Sequence, residues 1–247
     1  MVAPNGARPL KKDHPEVPIT IPEIVKTGKS CFESGAGAIH FHIRDKQGEH
    51  ILDPGLCKEA LSELNKIVPK MHLQITTEAV GRYSPNQMRK LAYDVTPPGI
   101  SIGIREMIPT RKLSTHDIDF YQKLEASGTK VQHICYEPED VDLLSELLKE
   151  SKLPKSGTWC MFVIGHYSGR LSVPENISKF ISKLKKNDID ADWAVCAFGK
   201  EETTCLETAI KLGGKIRVGF ENSLLMPDGT IAPDNETKVK AANALFE

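Results

Sequence analysis

The run Gly37-Ala38-Ile39-His40-Phe41-His42-Ile43-Arg44-Asp45 carries the strongest chemical signal in the chain. Side chains on a strand alternate between faces, so His40, His42 and Arg44 share one side and Ile39, Phe41 and Ile43 the other. If the apolar side meets a helix layer, two imidazoles and a guanidinium point into the interior, where polar groups are costly unless something binds them. A divalent metal satisfies both imidazoles. Two His ligands leave a zinc site incomplete, and a catalytic site commonly adds a carboxylate and an open position. Glu221 is the candidate, because Lys215-Ile216-Arg217-Val218-Gly219-Phe220-Glu221 places Arg217, Gly219 and Glu221 on one face.

Those residues need a frame. Strand-like runs occur at Val2 to Pro4, Ala38 to Arg44, His72 to Thr77, Gly99 to Ile104, Lys130 to Tyr136, Trp159 to Ile164, Trp193 to Phe198 and Lys215 to Glu221. Helical patterns fill the gaps: Ile177, Phe180, Ile181 and Leu184 form one stripe, and Leu56, Ala60, Leu61, Leu64 and Ile67 another. Thr20 with Glu23 and Ser172 with Glu175 fit capping boxes, and Asp53-Pro54 fits an N-cap followed by Pro. Eight strand and helix units in roughly 250 residues predict an α/β fold, a (β/α)8 TIM barrel in a single domain over 1–247, with a short first strand. An open doubly wound sheet is the alternative. Layers of inward side chains come from alternate strands, so the second and eighth strands can meet in one layer. The Pro-rich stretch from Pro4 to Pro22 reads as a long first loop opening onto the active-site face.

Composition narrows the partners. Lys+Arg 32 against Asp+Glu 33 gives a formal charge of -1 over 247 residues, which removes the electrostatic warrant for nucleic acid or an anionic membrane. Hydrophobic residues at 40% and charged residues at 26% match a packed globular chain. No run approaches the roughly 18 apolar residues of a membrane span, and no basic then apolar leader opens the sequence. Cys31, Cys57, Cys135, Cys160, Cys196 and Cys205 form no Cys-x-x-Cys pair and read as reduced thiols of a cytoplasmic protein.

Taken together, Gly-Ala-x-x-His-x-His-x-Arg-Asp, Thr76-Thr77 at a strand end and Arg217-Val218-Gly219-Phe220-Glu221-Asn222 resemble the β-keto acid cleavage enzyme family, the 3-keto-5-aminohexanoate cleavage proteins. The opening Val2 to Arg8, Val131-Gln132-His133-Ile134 and Trp193 to Gly199 extend the resemblance over nearly the whole chain. It implies a zinc-dependent barrel that converts a β-keto acid and acetyl-CoA to acetoacetate and a new acyl-CoA by Claisen and retro-Claisen steps. It puts His40, His42 and Glu221 at the metal-ligand positions and Arg217 at the active-site arginine. Thr76 corresponds to a hydroxyl that positions the substrate carboxylate. A homo-oligomer, often a tetramer, is also implied. Acetyl-CoA would be a diffusing cosubstrate, and no glycine-rich phosphate loop locates its site.

Asn222 departs from the family's Asp, which is paired with the arginine for proton transfer, and Asn cannot act as a base. Glu106 or Glu137 could serve instead, or Arg217 with bound substrate could suffice. Ser101, Asn5 and His133 are candidates to line the substrate pocket, and His166 lies just beyond the sixth strand. A metal-dependent hydrolase of the amidohydrolase kind is the rival, using His133 and His166 with Glu221. Arg44 and Arg217 argue against it by suiting a carboxylate substrate. A barrel that binds metal or CoA without turnover is the non-enzymatic alternative.

Overall fold

The computed structural model of the chain describes residues 1–246. Seven parallel strands run in sequence order: β1 (Ala38–Phe41), β2 (His72–Thr76), β3 (Gly99–Gly103), β4 (Lys130–Cys135), β5 (Ser156–Ile164), β6 (Asp190–Ala197) and β7 (Lys215–Ile216). Between them lie α2 (Pro54–Ile67), α3 (Pro85–Val95), α4 (Ile104–Met107), α5 (Thr115–Ala126), α6 (Glu139–Glu150), α7 (Asn176–Lys186) and α8 (Glu202–Lys211). The flanking helices are α1 (Ile21–Glu33) and α9 (Asn235–Asn243).

The ring closes through one residue. The predicted first strand shrinks to Val2, which bridges Ile39 on one side and Val218 on the other. Val2 N–H donates to the Ala38 carbonyl and His40 N–H to the Val2 carbonyl, both at 2.8 Å. Ala3 N–H donates to the Val218 carbonyl at 2.8 Å, which ties the last strand to the first. The fold is a (β/α)8 barrel, not an open doubly wound sheet.

Outward strand residues Ile39, Phe41, Ile75, Ile100, Ile102 and Phe162 are buried against helix residues such as Ile24, Leu64, Leu91, Phe120 and Phe180. At roughly 25 cal/mol per Å² of apolar surface, this sheet-helix layer is the main source of stability. The interior is divided. Met161, Val163, Ala194 and Cys196 from β5 and β6 form an apolar half, while His40, Gln74 and Gln132 form a buried polar one. No described helix is long and apolar enough to cross a membrane.

Thr20 with Glu23 makes the predicted capping box, and Asp53 accepts from Leu56 N–H ahead of Pro54. The box predicted at Ser172 and Glu175 is corrected, since α7 starts at Asn176 without a side-chain cap. The Ser172 hydroxyl instead donates to the Ile164 and Phe198 carbonyls and accepts from Phe198 N–H, joining the ends of β5 and β6. The predicted strand Lys215 to Glu221 stops pairing with β6 after Ile216, still bridges Val2 at Val218, and turns away at Gly219, where φ is +132°. A Cβ at Gly219 would lie 2.3 Å from the Ala3 carbonyl oxygen, so only glycine fits.

Candidate active site

The C-terminal ends of the strands open into a cavity of about 470 Å³ whose walls include His40, His42, Thr76, Ser101, Arg217, Glu221 and Asn222. This is the face on which barrels of this class carry out chemistry. The first loop does pass over it, contributing Ala7, Arg8 and Pro9. A second cavity of about 640 Å³ lies at the other strand ends, near Gly37, His72, Lys130 and Lys215.

His40 and His42 point inward from β1 and the residue after it, their Nε2 atoms 3.0 Å apart. Each Nε2 is 3.4 Å from Glu221 Oε2. Tetrahedral zinc with bonds of about 2.0–2.1 Å needs ligand atoms about 3.3 Å apart, so the three donors stand at the edge lengths of one coordination tetrahedron. Glu221 Oε2 is buried with no hydrogen-bond partner, as a ligand atom awaiting a cation would be. His40 Nδ1 lies 2.7 Å from Gln74 Oε1, an acceptor that favours the proton on Nδ1 and a lone pair on Nε2, the form a metal takes. Burial, opposed by Glu221, depresses the His40 pKa to about 3, so the ring is neutral, the form that ligates. Burial pushes the Glu221 carboxyl up, but Arg217 and the two imidazoles outweigh it and hold the group well below the carboxylate range. The donor set therefore fits zinc.

Arg217 Nη2 contacts Glu221 Oε1 at 2.9 Å and Cys196 Sγ at 3.3 Å. Its Nε and Nη1 are buried without partners beside the cavity. Ser101 Oγ and both polar atoms of Asn222 are likewise buried and unpartnered. Thr76 Oγ1 accepts from Glu78 N–H at 3.0 Å, which leaves its own proton free to donate. Glu106 lines the same cavity, and burial followed by the nearby Glu78 charge raises its carboxyl to about 7. His166 stands on the wall with Nδ1 at 2.6 Å from Ser168 Oγ.

Four expectations are corrected. Asn5 is fully used by backbone: its Nδ2 donates to the Pro18 and His42 carbonyls and its Oδ1 accepts from His42 N–H. It holds β1 against the first loop and has no N–H left to donate to a substrate oxygen. Arg44 is spent the same way on the carbonyls of Asn5, Gly6, Pro9 and Gly48. His133 faces outward from β4 and stacks on Tyr121 of α5 with ring centroids 5.5 Å apart. That removes the ligand which the amidohydrolase reading requires. Glu137 is exposed and paired with Arg170, so it is no candidate base.

Sequence reasoning passed over Gln74, Glu78 and Cys196. The alternation in His72-Leu73-Gln74-Ile75-Thr76 puts Gln74 on the face of Thr76, which was the available signal. Glu78 pairs with Arg8 at 2.7 Å, and Arg8 stacks over Tyr167 at 3.4 Å from its ring centre.

Known proteins fall in line with this geometry. The chain is 27% identical over 252 residues to a 3-oxoadipate:acetyl-CoA acetyltransferase of Cupriavidus necator, covering 100% of this chain and 87% of the relative. It is 24% identical over 237 residues to a 3-keto-5-aminohexanoate cleavage enzyme of Acetoanaerobium sticklandii, covering 93% and 84%. Among solved structures, ObcA in binary complex with oxaloacetate superposes with a TM-score of 0.73 at 15% identity. The match covers 93% of this chain but only 63% of that longer one, and speaks to the fold. A type I 3-dehydroquinate dehydratase from Clostridium difficile shares the architecture more loosely, with a TM-score of 0.58 at 12% identity over 99% of this chain and 90% of that one. The model of the β-keto acid cleavage enzymes matches from residue 1 to residue 247, and the chain belongs to that family.

Proposed function

We propose that the protein is a zinc-dependent acyltransferase that converts a β-keto acid and acetyl-CoA to acetoacetate and a new acyl-CoA. The spacing of His40, His42 and Glu221 beside Arg217 carries this reading. Those three side chains would hold the zinc ion, which would supply Lewis-acid polarisation of a substrate oxygen.

The remaining steps fall to the chain's own residues. Thr76 and Ser101 hydroxyls donate to the substrate carboxylate, and the unpartnered Arg217 N–H groups take developing oxyanion charge. Glu106 removes a proton from the carbon between ketone and carboxylate, a role that its pKa of about 7 suits. That carbon attacks the acetyl carbonyl of acetyl-CoA, a carbon–carbon bond forms, and CoA thiolate leaves. The thiolate then adds to the original ketone, whose bond to the central carbon breaks, releasing acyl-CoA. Acetoacetate recovers the proton from Glu106, so atoms and charge balance. Asn222, which cannot take the proton, orients substrate by hydrogen bonds.

We read the protein as one catalytic domain over 1–247, a homo-oligomer such as a tetramer by family resemblance, and cytoplasmic on account of its six buried, unbonded cysteines. Mass spectrometry of protein, zinc, acetyl-CoA and a panel of β-keto acids tests the reaction. Acetoacetate appearing together with a matching acyl-CoA supports it and names the acid. Stoichiometric zinc with neither product from any acid rejects it in favour of a metal-binding barrel without turnover.

A further inference from the structure

Below the three donors, the barrel interior holds two amides where hydrocarbon would be cheaper. Gln74 on β2 and Gln132 on β4 are both fully buried. In such barrels, interior layers are drawn from alternate strands and are dominated by Val, Ile and Leu. Two amides in that position cost desolvation and gain little net stability even when paired.

Their hydrogen bonds have a direction. His40 is the β1 residue in register with Gln74, and its Nδ1 faces Gln74 Oε1 at 2.7 Å. Gln74 Nε2 donates to Gln132 Oε1 at 3.2 Å. An amide whose nitrogen is engaged as donor must present its oxygen to the imidazole. The imidazole then carries its proton on Nδ1 and offers a lone pair at Nε2. With the chain of amides reversed, Gln74 would donate to Nδ1 and the proton would move to Nε2, the atom 3.4 Å from Glu221 Oε2.

We infer that Gln74 and Gln132 form a positioning relay that fixes the His40 tautomer and ring so that Nε2 is kept as a metal ligand. This rests on the zinc reading of the site. Neither glutamine touches substrate, and both act through His40. Gln132 Nε2 has no hydrogen-bond partner among the described residues, and Gln132 lines the second cavity at the opposite strand ends.

Zinc affinity of Gln74→Met, Gln132→Met and Gln74→Glu, measured by competition with a chromophoric chelator, tests the relay alongside imidazole ¹⁵N spectra of the metal-free proteins. Gln74→Met should weaken zinc binding about 10- to 100-fold and convert His40 from the Nδ1–H to the Nε2–H form. Gln132→Met, one step further away, should cost about fivefold, because the Gln74 amide loses its orientation. Gln74→Glu keeps an acceptor at Nδ1 and should restore wild-type affinity or better. Unchanged affinity and tautomer in both Met variants, with wild-type protein binding zinc, overturns the relay and leaves the metal reading intact. If wild-type protein takes up no zinc, the metal reading falls, and the spectra alone decide the relay. A Gln74→Met chain that fails to fold leaves Gln132→Met to decide by the same two readouts.

Discussion

Arg217 and Glu221, four residues apart, meet with Nη2 at 2.9 Å from Oε1. On a straight strand the two would be about 13 Å apart, at about 3.3 Å per residue. The contact exists because the chain turns at Gly219, just past the bridge of Val218 to Val2, where φ is +132°. The turn lets one short segment supply both the proposed metal ligand Glu221 and the guanidinium that balances its charge. It also lays Glu221 under the first loop, where a Cβ on Gly6 would lie 2.5 Å from Glu221 Cγ.

Gly219→Ala should therefore damage site and fold together. Its Cβ would press on the Ala3 carbonyl, and the backbone angle is one that alanine avoids, at a cost of about 3 kcal/mol. Urea denaturation should show the lower midpoint, and chelator competition should show weaker zinc binding in the protein that remains folded. Wild-type values in both would mean that the turn relaxes freely and does not set the Arg217 to Glu221 contact.

Replacing His40 with Ala removes one of three donors while Arg217, Thr76 and Ser101 stay in place. Zinc content and acetoacetate formation should fall together, with turnover reduced by at least about 10³-fold, since the proposed metal would stabilise transition-state charge. Turnover that survives in metal-free protein would dismiss the zinc mechanism.

Much of this was legible from periodicity. The inward run of His40 and His42 and the shared face of Arg217 and Glu221 follow from two-residue alternation once a barrel supplies an inside, whereas the direct contact of Arg217 with Glu221 needs the turn at Gly219. Asn5 and Arg44 misled for a physical reason. Both are polar and at strand ends, but their partners are carbonyls of the first loop, and which loop folds back over a strand end is a tertiary outcome. The short first strand was legible in the few residues ahead of Pro4, and only its reduction to the single bridging residue Val2 was not. Gln74 was visible as an inward polar residue but became meaningful only beside His40.

Glu106 gives a pH signature. Burial first and Glu78 second raise its carboxyl from 4.5 to about 7, so the folded protein binds this proton more tightly than the unfolded chain. Its stabilising contribution is complete below about pH 4.5 and disappears as pH rises through 7. Glu106→Gln should flatten the stability profile between those values, read by urea titrations at several pH. Turnover in wild-type protein should rise through pH 7 as the base ionises, and Glu106→Gln should cut it by about 10²- to 10⁴-fold. Full activity with an unshifted profile would remove Glu106 from the proton path.

The buried pair Glu202 and Lys238 joins α8 to α9, with Nζ 2.6 Å from Oε2 and side chains only 5% and 4% exposed. Lys238 also donates to the Leu225 carbonyl, which anchors a loop segment on the cavity wall. Lys238→Met strands a buried carboxylate and should cost about 3–5 kcal/mol near pH 8. Burial, opposed by Lys238, already raises the Glu202 pKa to about 7, and losing the ammonium raises it further. Acid therefore neutralises the stranded group, and the loss should be smaller at pH 5 than at pH 8. Glu202→Met with Lys238→Met should recover most of the stability, since neither charge is left unpaired. A penalty independent of pH in the single variant would mean that Lys238 acts through packing and the Leu225 carbonyl, not through the charge of Glu202.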